Sequence, residues 1–301
     1  MDPRASRERR RGRGPALLLA AALGVAACGD GSTDLDAAPS STPPAAASTN
    51  STPSAATSRS TAVRAGNGGV TEYGIEIVAT HPHDTEAYTQ GLEMVGDLLL
   101  ETTGLEGRSS VRLLAPRSGG IVRSSDLDPE LFGEGATVVG DEVWQLTWRD
   151  GTLLVHGLDD LEERRRIGYE GEGWGLCATD DRLIMSDGSE RLLFRDRRTF
   201  ELLDSVTVVD GTTPVGRLNE LECVGDLVWA NVYQTTRLLA IDPSDGRVVG
   251  TADLSDLVPP GFEDSNDAVA NGIAHDPTTG RFWLTGKLWP VLYEVELVPV
   301  S

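Results

Sequence analysis

Five segments of one pattern recur at even spacing along the chain. They open at Gln90, Glu134, Trp174, Asn219 and Asn271, which are 44, 40, 45 and 52 residues apart. The first two read Gln90-Gly91-Leu92-Glu93-Met94-Val95-Gly96-Asp97-Leu98-Leu99 and Glu134-Gly135-Ala136-Thr137-Val138-Val139-Gly140-Asp141-Glu142-Val143. Each segment reads as a strand, a tight Gly-Asp or Asp-Asp turn and a second apolar strand. The fifth carries two extra turn residues. Third and fourth strands follow, as at residues 237–242 and 247–250, and no long amphipathic helix interrupts them. Four short strands in each 40–50 residues is the pattern of a β-propeller blade. The chain is therefore expected to be all-β, a five-bladed β-propeller over residues 70–301. The last repeat supplies only part of a blade at residues 291–297. The unassigned strand at residues 73–80 is expected to complete it, closing the ring and removing an exposed edge.

A ring of repeats brings equivalent residues together. The innermost strand of each blade lines the central channel, so Gln90, Glu134, Trp174, Asn219 and Asn271 should gather near one mouth. Fourteen positions on, in the first four repeats, come Gly104, Trp148, Gly188 and Tyr233; the fifth, with its insertion, gives Lys287. Taken singly, each has an ordinary reading. The aromatics could pack blades, the two asparagines could satisfy buried backbone, and Glu134 could form a structural ion pair with Lys287. Their convergence at equivalent positions favours a pocket with a few polar groups.

The formal net charge is −21. Nucleic acid is excluded as a partner, since phosphate binding needs Lys and Arg. Residues 1–27 read as an export signal, with six arginines up to Arg13 and an apolar core at residues 16–23 that is too short to span a bilayer. Val25-Ala26-Ala27-Cys28-Gly29 resembles a bacterial lipobox, which makes Cys28 the acylated N-terminus; the alternative is an ordinary signal with an incidental Cys. A lipid on Cys28 would hold the protein on a membrane of the cell envelope without spanning it. Residues 28–69, rich in Ala, Ser, Thr and Pro, cannot bury a core and are expected to be a disordered tether.

Cys177 and Cys223 fall on inner strands of adjacent blades. Export permits a disulfide. Their offsets from the repeat starts differ by one residue, however, which on strict alternation points them to opposite faces; two buried thiols are the expectation. The four histidines (His81, His83, His156, His275) form no ligand motif. No metal and no cofactor are expected.

Several motifs, in order, resemble the plant and bacterial glutaminyl cyclases (glutaminyl-peptide cyclotransferases). They are Tyr88-Thr89-Gln90-Gly91-Leu92, Phe132-Gly133-Glu134-Gly135, Gly173-Trp174-Gly175-Leu176, Leu218-Asn219-Glu220-Leu221-Glu222, Asn231-Val232-Tyr233-Gln234, Asn271-Gly272-Ile273-Ala274 and Thr285-Gly286-Lys287-Leu288-Trp289-Pro290. The resemblance spans about residues 73–298. It implies a five-bladed propeller that turns an N-terminal glutamine into pyroglutamate and releases ammonia, with peptide or protein substrates and no metal. It implies Glu134 as the general acid/base and Gln90, Asn219 and Lys287 as polar groups around the reacting carboxamide. It further implies Tyr88, Phe132, Trp148, Trp174 and Tyr233 as substrate contacts, to which the repeat position at the channel mouth adds Asn271. Tyr88 and Tyr233 stand where relatives commonly carry Phe and Trp, which alters pocket polarity. A monomer is expected. The rival reading is a non-catalytic peptide-binding or scaffolding propeller lipoprotein. A metal-dependent lactonase-like propeller would need several acids at the mouth, where only Glu134 is expected.

Overall fold

The computed structural model describes residues 69–301. The expected export signal, Cys28 and all but the last residue of the 28–69 tether lie outside the described residues. Within them the regular structure is almost entirely β, the one helical element being a 3₁₀ turn at Ser255–Leu257.

The strand β1 (Thr71–Pro82) comes first. A four-stranded antiparallel sheet follows: β2 (Thr89–Val95), β3 (Leu98–Thr103), β4 (Ser110–Ala115) and β5 (Gly120–Asp126). A second contains β6 (Gly133–Val139), β7 (Glu142–Thr147), β8 (Thr152–Gly157) and β9 (Glu163–Gly168). A third contains β10 (Leu176–Ala178), β11 (Leu183–Ser186), β12 (Arg191–Arg195) and β13 (Leu202–Thr207). After a small hairpin of β14 (Val209–Asp210) and β15 (Thr213–Pro214) come β16 (Leu218–Val224), β17 (Leu227–Val232), β18 (Arg237–Asp242) and β19 (Arg247–Asp253). The last group is β20 (Ala270–His275), β21 (Phe282–Gly286) and β22 (Val291–Pro299). β1 lies antiparallel to β22, from Tyr73 opposite Pro299 to Pro82 opposite Val291. It also runs parallel to β19 where Thr71 faces Gly250, and so joins the last two groups into one ten-stranded sheet.

The turns that end the inner strands account for the Gly-Asp dipeptides. Gly96, Gly140 and Gly225 have φ of +59°, +68° and +59°, the left-handed backbone that a two-residue hairpin demands. The innermost strands β2, β6, β10, β16 and β20 pack against one another in that order, and β20 returns to β2. They approach closely: a Cβ on Gly175 would come within 2.1 Å of the Asn219 carbonyl oxygen, so only glycine fits there. The outermost strands β5, β9 and β13 are exposed. In β9 the run Arg164-Arg165-Arg166 charges an edge that would otherwise invite pairing with another chain.

Apolar side chains fill the spaces between successive sheets. Leu100, Val111 and Leu113 meet Ala136, Val143 and Leu154 between the first two sheets. Trp144, Leu146 and Val155 meet Leu176, Leu183 and Met185 between the next two. Similar layers join the third sheet to β16–β19, these to β20–β22, and β20–β22 to β2–β4. Each such fully buried side chain contributes about 1.5–3 kcal/mol.

The cysteines correct an expectation. Cys177 and Cys223 form a disulfide with Cα atoms 5.5 Å apart. Sheets that stack in sequence present opposite faces to each other. Leu176 on β10 faces the preceding sheet, as Leu221 does on β16, whereas Cys177 faces forward with Ile184 and Leu192. The one-residue offset therefore aims Cys177 forward and Cys223 backward into the same layer. Strict alternation holds on both strands, but equivalent residues on neighbouring sheets point the same way round, so partners across a layer need opposite parity. The bond closes a loop with a sequence separation of 46 residues. Cys223→Ser is expected to lower unfolding stability by about 2–4 kcal/mol, read from denaturant midpoints with and without reductant; an unchanged midpoint would show that the bond constrains nothing.

Candidate active site

Four of the five inner strands, all but β10, carry an irregularity at their second residue. The ladder slips between Thr89 and Gly91, Gly133 and Ala136, Leu218 and Leu221, and Ala270 and Ile273. Such bulges re-aim a side chain out of the alternating pattern. Gln90, Glu134, Asn219 and Asn271 all sit in them. The second strand of each repeat ends just before Gly104, Trp148, Tyr233 or Lys287. One backbone bond recurs there. The N–H groups of Gly104, Trp148, Tyr233 and Lys287 donate to the carbonyls of Tyr88, Phe132, Arg217 and Val269 at 2.8, 3.0, 2.9 and 2.9 Å. Strand start and strand end are thereby held side by side.

These residues enclose a cavity of about 270 Å³ lined by Tyr88, Gln90, Phe132, Glu134, Trp148, Trp174, Asn219, Tyr233, Asp267 and Lys287. Its floor is polar and buried. Glu134 is 5% and Lys287 2% exposed. The Gln90 amide bridges them: its Nε2 donates to Glu134 Oε1 at 3.0 Å and its Oε1 accepts from Lys287 Nζ. Only this orientation works, since an ammonium can only donate and a carboxylate can only accept. Glu134 Oε2 is buried and without a partner.

The walls are aromatic. Phe132 lies 5.4 Å from Trp148, and Trp174 meets Tyr233 edge-on at 5.5 Å. Lys287 Nζ sits 4.5 Å from the centre of the Tyr88 ring, a cation–π contact. Two glycines of the second ring make room for these walls. A Cβ on Gly104 would fall 2.4 Å from the Phe132 ring, and one on Gly188 2.6 Å from the Trp174 indole.

Burial sets the electrostatics. Desolvation pushes the Glu134 carboxyl well above the usual carboxylate range; the Lys287 charge opposes this and the Glu172 charge adds to it. Desolvation also brings Lys287 down to about 8, against the pull of Glu134 and Glu220. An acid raised and a base lowered around one amide form a pair able to hold or move a proton near neutral pH. Among the described residues no three His, Cys, Asp or Glu side chains group as a metal site.

A family model described as "Glutamine cyclotransferase" matches residues 46–297. The chain belongs to the glutamine cyclotransferase family. It is 38% identical over 231 residues to the glutaminyl-peptide cyclotransferase of Arabidopsis thaliana, covering 75% of this chain and 72% of that one. It also matches the crystal structure of Myxococcus xanthus glutaminyl cyclase with a TM-score of 0.72 at 36% identity, over 77% of this chain and 100% of the other.

In this family member nine of the ten substrate-site residues expected from the sequence line one cavity. Asn271 stands apart: it is fully buried, and its Nδ2 donates to the Thr89 carbonyl at 2.9 Å, tying β20 to β2. Two residues escaped the sequence reading. Asp267, exposed at the rim, stands four residues before Asn271, a position where the first three repeats carry Glu86, Glu130 and Glu170, an acidic recurrence that could have marked it. Glu172 lies behind the cavity, two residues before Trp174, at the repeat position that supplies Tyr88 and Phe132 to the wall.

Proposed function

We propose that the protein is a glutaminyl-peptide cyclotransferase that closes the N-terminal glutamine of peptides and proteins into pyroglutamate. The observation that carries the reading is the partnerless, buried Oε2 of Glu134 at the floor of an aromatic cavity, with its other oxygen held by Gln90. The α-amine attacks the γ-carboxamide carbon, a C–N bond forms, and the bond to the amide nitrogen breaks. The proton lost by the amine must reach the departing nitrogen, which leaves as ammonia. Glu134 Oε2 is placed to accept that proton and return it to the leaving group. The reactants are one molecule, so much of the acceleration is proximity: the indole and phenol walls hold the side chain folded back on its own amine. Lys287, Asn219 and Gln90 are the donors available to charge developing on the carboxamide oxygen. The scaffold is read as a five-bladed β-propeller in which β1 completes the fifth blade beside β22. Five interlocked apolar layers and the return of β20 to β2 support that reading.

The site of action is proposed to be the cell envelope, with a lipid on Cys28. The Cys177–Cys223 bond supports export, since disulfides persist in oxidising compartments. Purified protein incubated with a panel of Gln-initiated peptides, with and without chelator, should remove one ammonia per peptide by mass spectrometry and leave Ala-initiated controls untouched. Binding of these peptides without ammonia release would favour the non-catalytic propeller instead.

A further inference from the structure

We propose that Glu172 is a positioning residue of this site, whose carboxylate fixes the two indole walls at the separation that grips the folded glutamine side chain. The proposal rests on the cyclotransferase reading above. Trp148 follows β7 and Trp174 precedes β10, so they come from different sheets. Their backbones are already docked, because the Gly173 N–H donates to the Trp148 carbonyl at 2.9 Å. What remains free is the rotation of the two rings. Glu172 removes it with one atom: Oε2 accepts from Trp148 Nε1 at 2.9 Å and from Trp174 Nε1 at 3.1 Å.

The other oxygen, Oε1, accepts from Arg149 Nε at 2.9 Å. The Arg149 guanidinium in turn lies 3.7 Å over the Trp148 ring. Trp148 is thus held by its edge and by its outer face, leaving its inner face to the cavity. An indole N–H can only donate, so both rings need an acceptor, and a charged one gives stronger bonds. Glu172 stays ionised: partial desolvation is outweighed by the bonds from Trp174, Arg149 and Trp148, which hold its carboxyl below the usual range. Its charge also reaches Glu134 through the wall and favours the protonated form there. The residue therefore shapes the cavity and tunes its acid without touching substrate.

The test compares full-length wild type with Glu172→Ala and Glu172→Gln. Alanine removes acceptor and charge; glutamine keeps one acceptor oxygen and loses the charge. In Glu172→Ala, KM for a Gln-initiated peptide should rise roughly tenfold or more, the scale of losing charged hydrogen bonds, with a smaller change in kcat. Iodide should quench tryptophan emission more strongly. Glu172→Gln should recover much of the KM and the quenching. In both variants the acid limb of kcat/KM should move to lower pH, because the charge that favoured protonated Glu134 is gone. The proposal is overturned if activity falls only in step with lost folded protein and the acid limb stays put, or if KM and quenching match wild type in Glu172→Ala. Should wild type release no ammonia, the cyclotransferase reading fails, and the quenching of Glu172→Ala alone decides whether Glu172 holds the indoles.

Discussion

Glutamine in place of Glu134 is expected to lower kcat for Gln-initiated peptides by about 10²–10⁴-fold, the span of a lost acid–base group. The substitution is nearly isosteric. It preserves an oxygen for the Gln90 amide, which now meets Glu134 Oε1 at 3.0 Å. It replaces the partnerless Oε2 with an NH₂ that cannot take a proton. Folding should not suffer, since a buried carboxyl with one unsatisfied oxygen is costly; the melting temperature is expected to hold or rise. A second consequence follows from charge. Lys287 is brought down to about 8 by burial, with Glu134 opposing the shift. Without that anion, Lys287 should titrate lower still, and any residual activity should fall off at lower pH. Ammonia release measured across pH on folded Glu134→Gln, with a thermal melt of the same protein, reads all three effects; near-wild-type kcat would remove Glu134 from the chemistry.

The second large effect is expected at Lys287. Lys287→Met keeps the length and apolar stem but removes the charge donated to Gln90 Oε1. A loss of about 10²–10³ in kcat is expected, as for a missing oxyanion donor. The pH profile distinguishes this from simple repacking. In wild type the ammonium form is lost as pH rises through about 8, so kcat/KM should fall there; in Lys287→Met that limb should vanish. The Lys287 charge also holds Glu134 down against its desolvation. Its removal should raise Glu134 further and move the acid limb to higher pH, opposite in direction to the Glu172 variants. The two limbs belong to a coupled pair and are best read together. A profile with its alkaline limb intact would assign that limb elsewhere.

Most of the residues that set these shifts are legible in the sequence. Gln90, Glu134, Trp174, Asn219, Trp148, Tyr233 and Lys287 are readable because a repeat converts distant positions into neighbours, and in four of the five inner strands a bulge sits at the same place. Asn271 shares that position, yet its side-chain NH₂ is spent on the Thr89 carbonyl. Equivalence of position does not fix which way a side chain finds its partner. Asp267 shares its offset from the repeat start with Glu86, Glu130 and Glu170, but an acid in a polar connecting loop reads as ordinary surface charge. Glu172 is not legible from its equivalents, since Tyr88, Phe132, Arg217 and Val269 include no second acid. The disulfide was misjudged for a geometric reason: strand alternation was followed, but not the reversal of faces between stacked sheets.

The central claim is that burial lifts the Glu134 carboxyl well above the ordinary carboxylate range and so suits it to shuttle a proton. Carbon-13 titration of the glutamate side-chain carboxyls, with Glu134→Gln as the blank, isolates this one group. The expected result is a resonance, absent from the blank, whose midpoint lies well above 4.5 and climbs further in Lys287→Met. A midpoint in the ordinary carboxylate range, unmoved by Lys287→Met, would contradict the role of Glu134 as the proton shuttle.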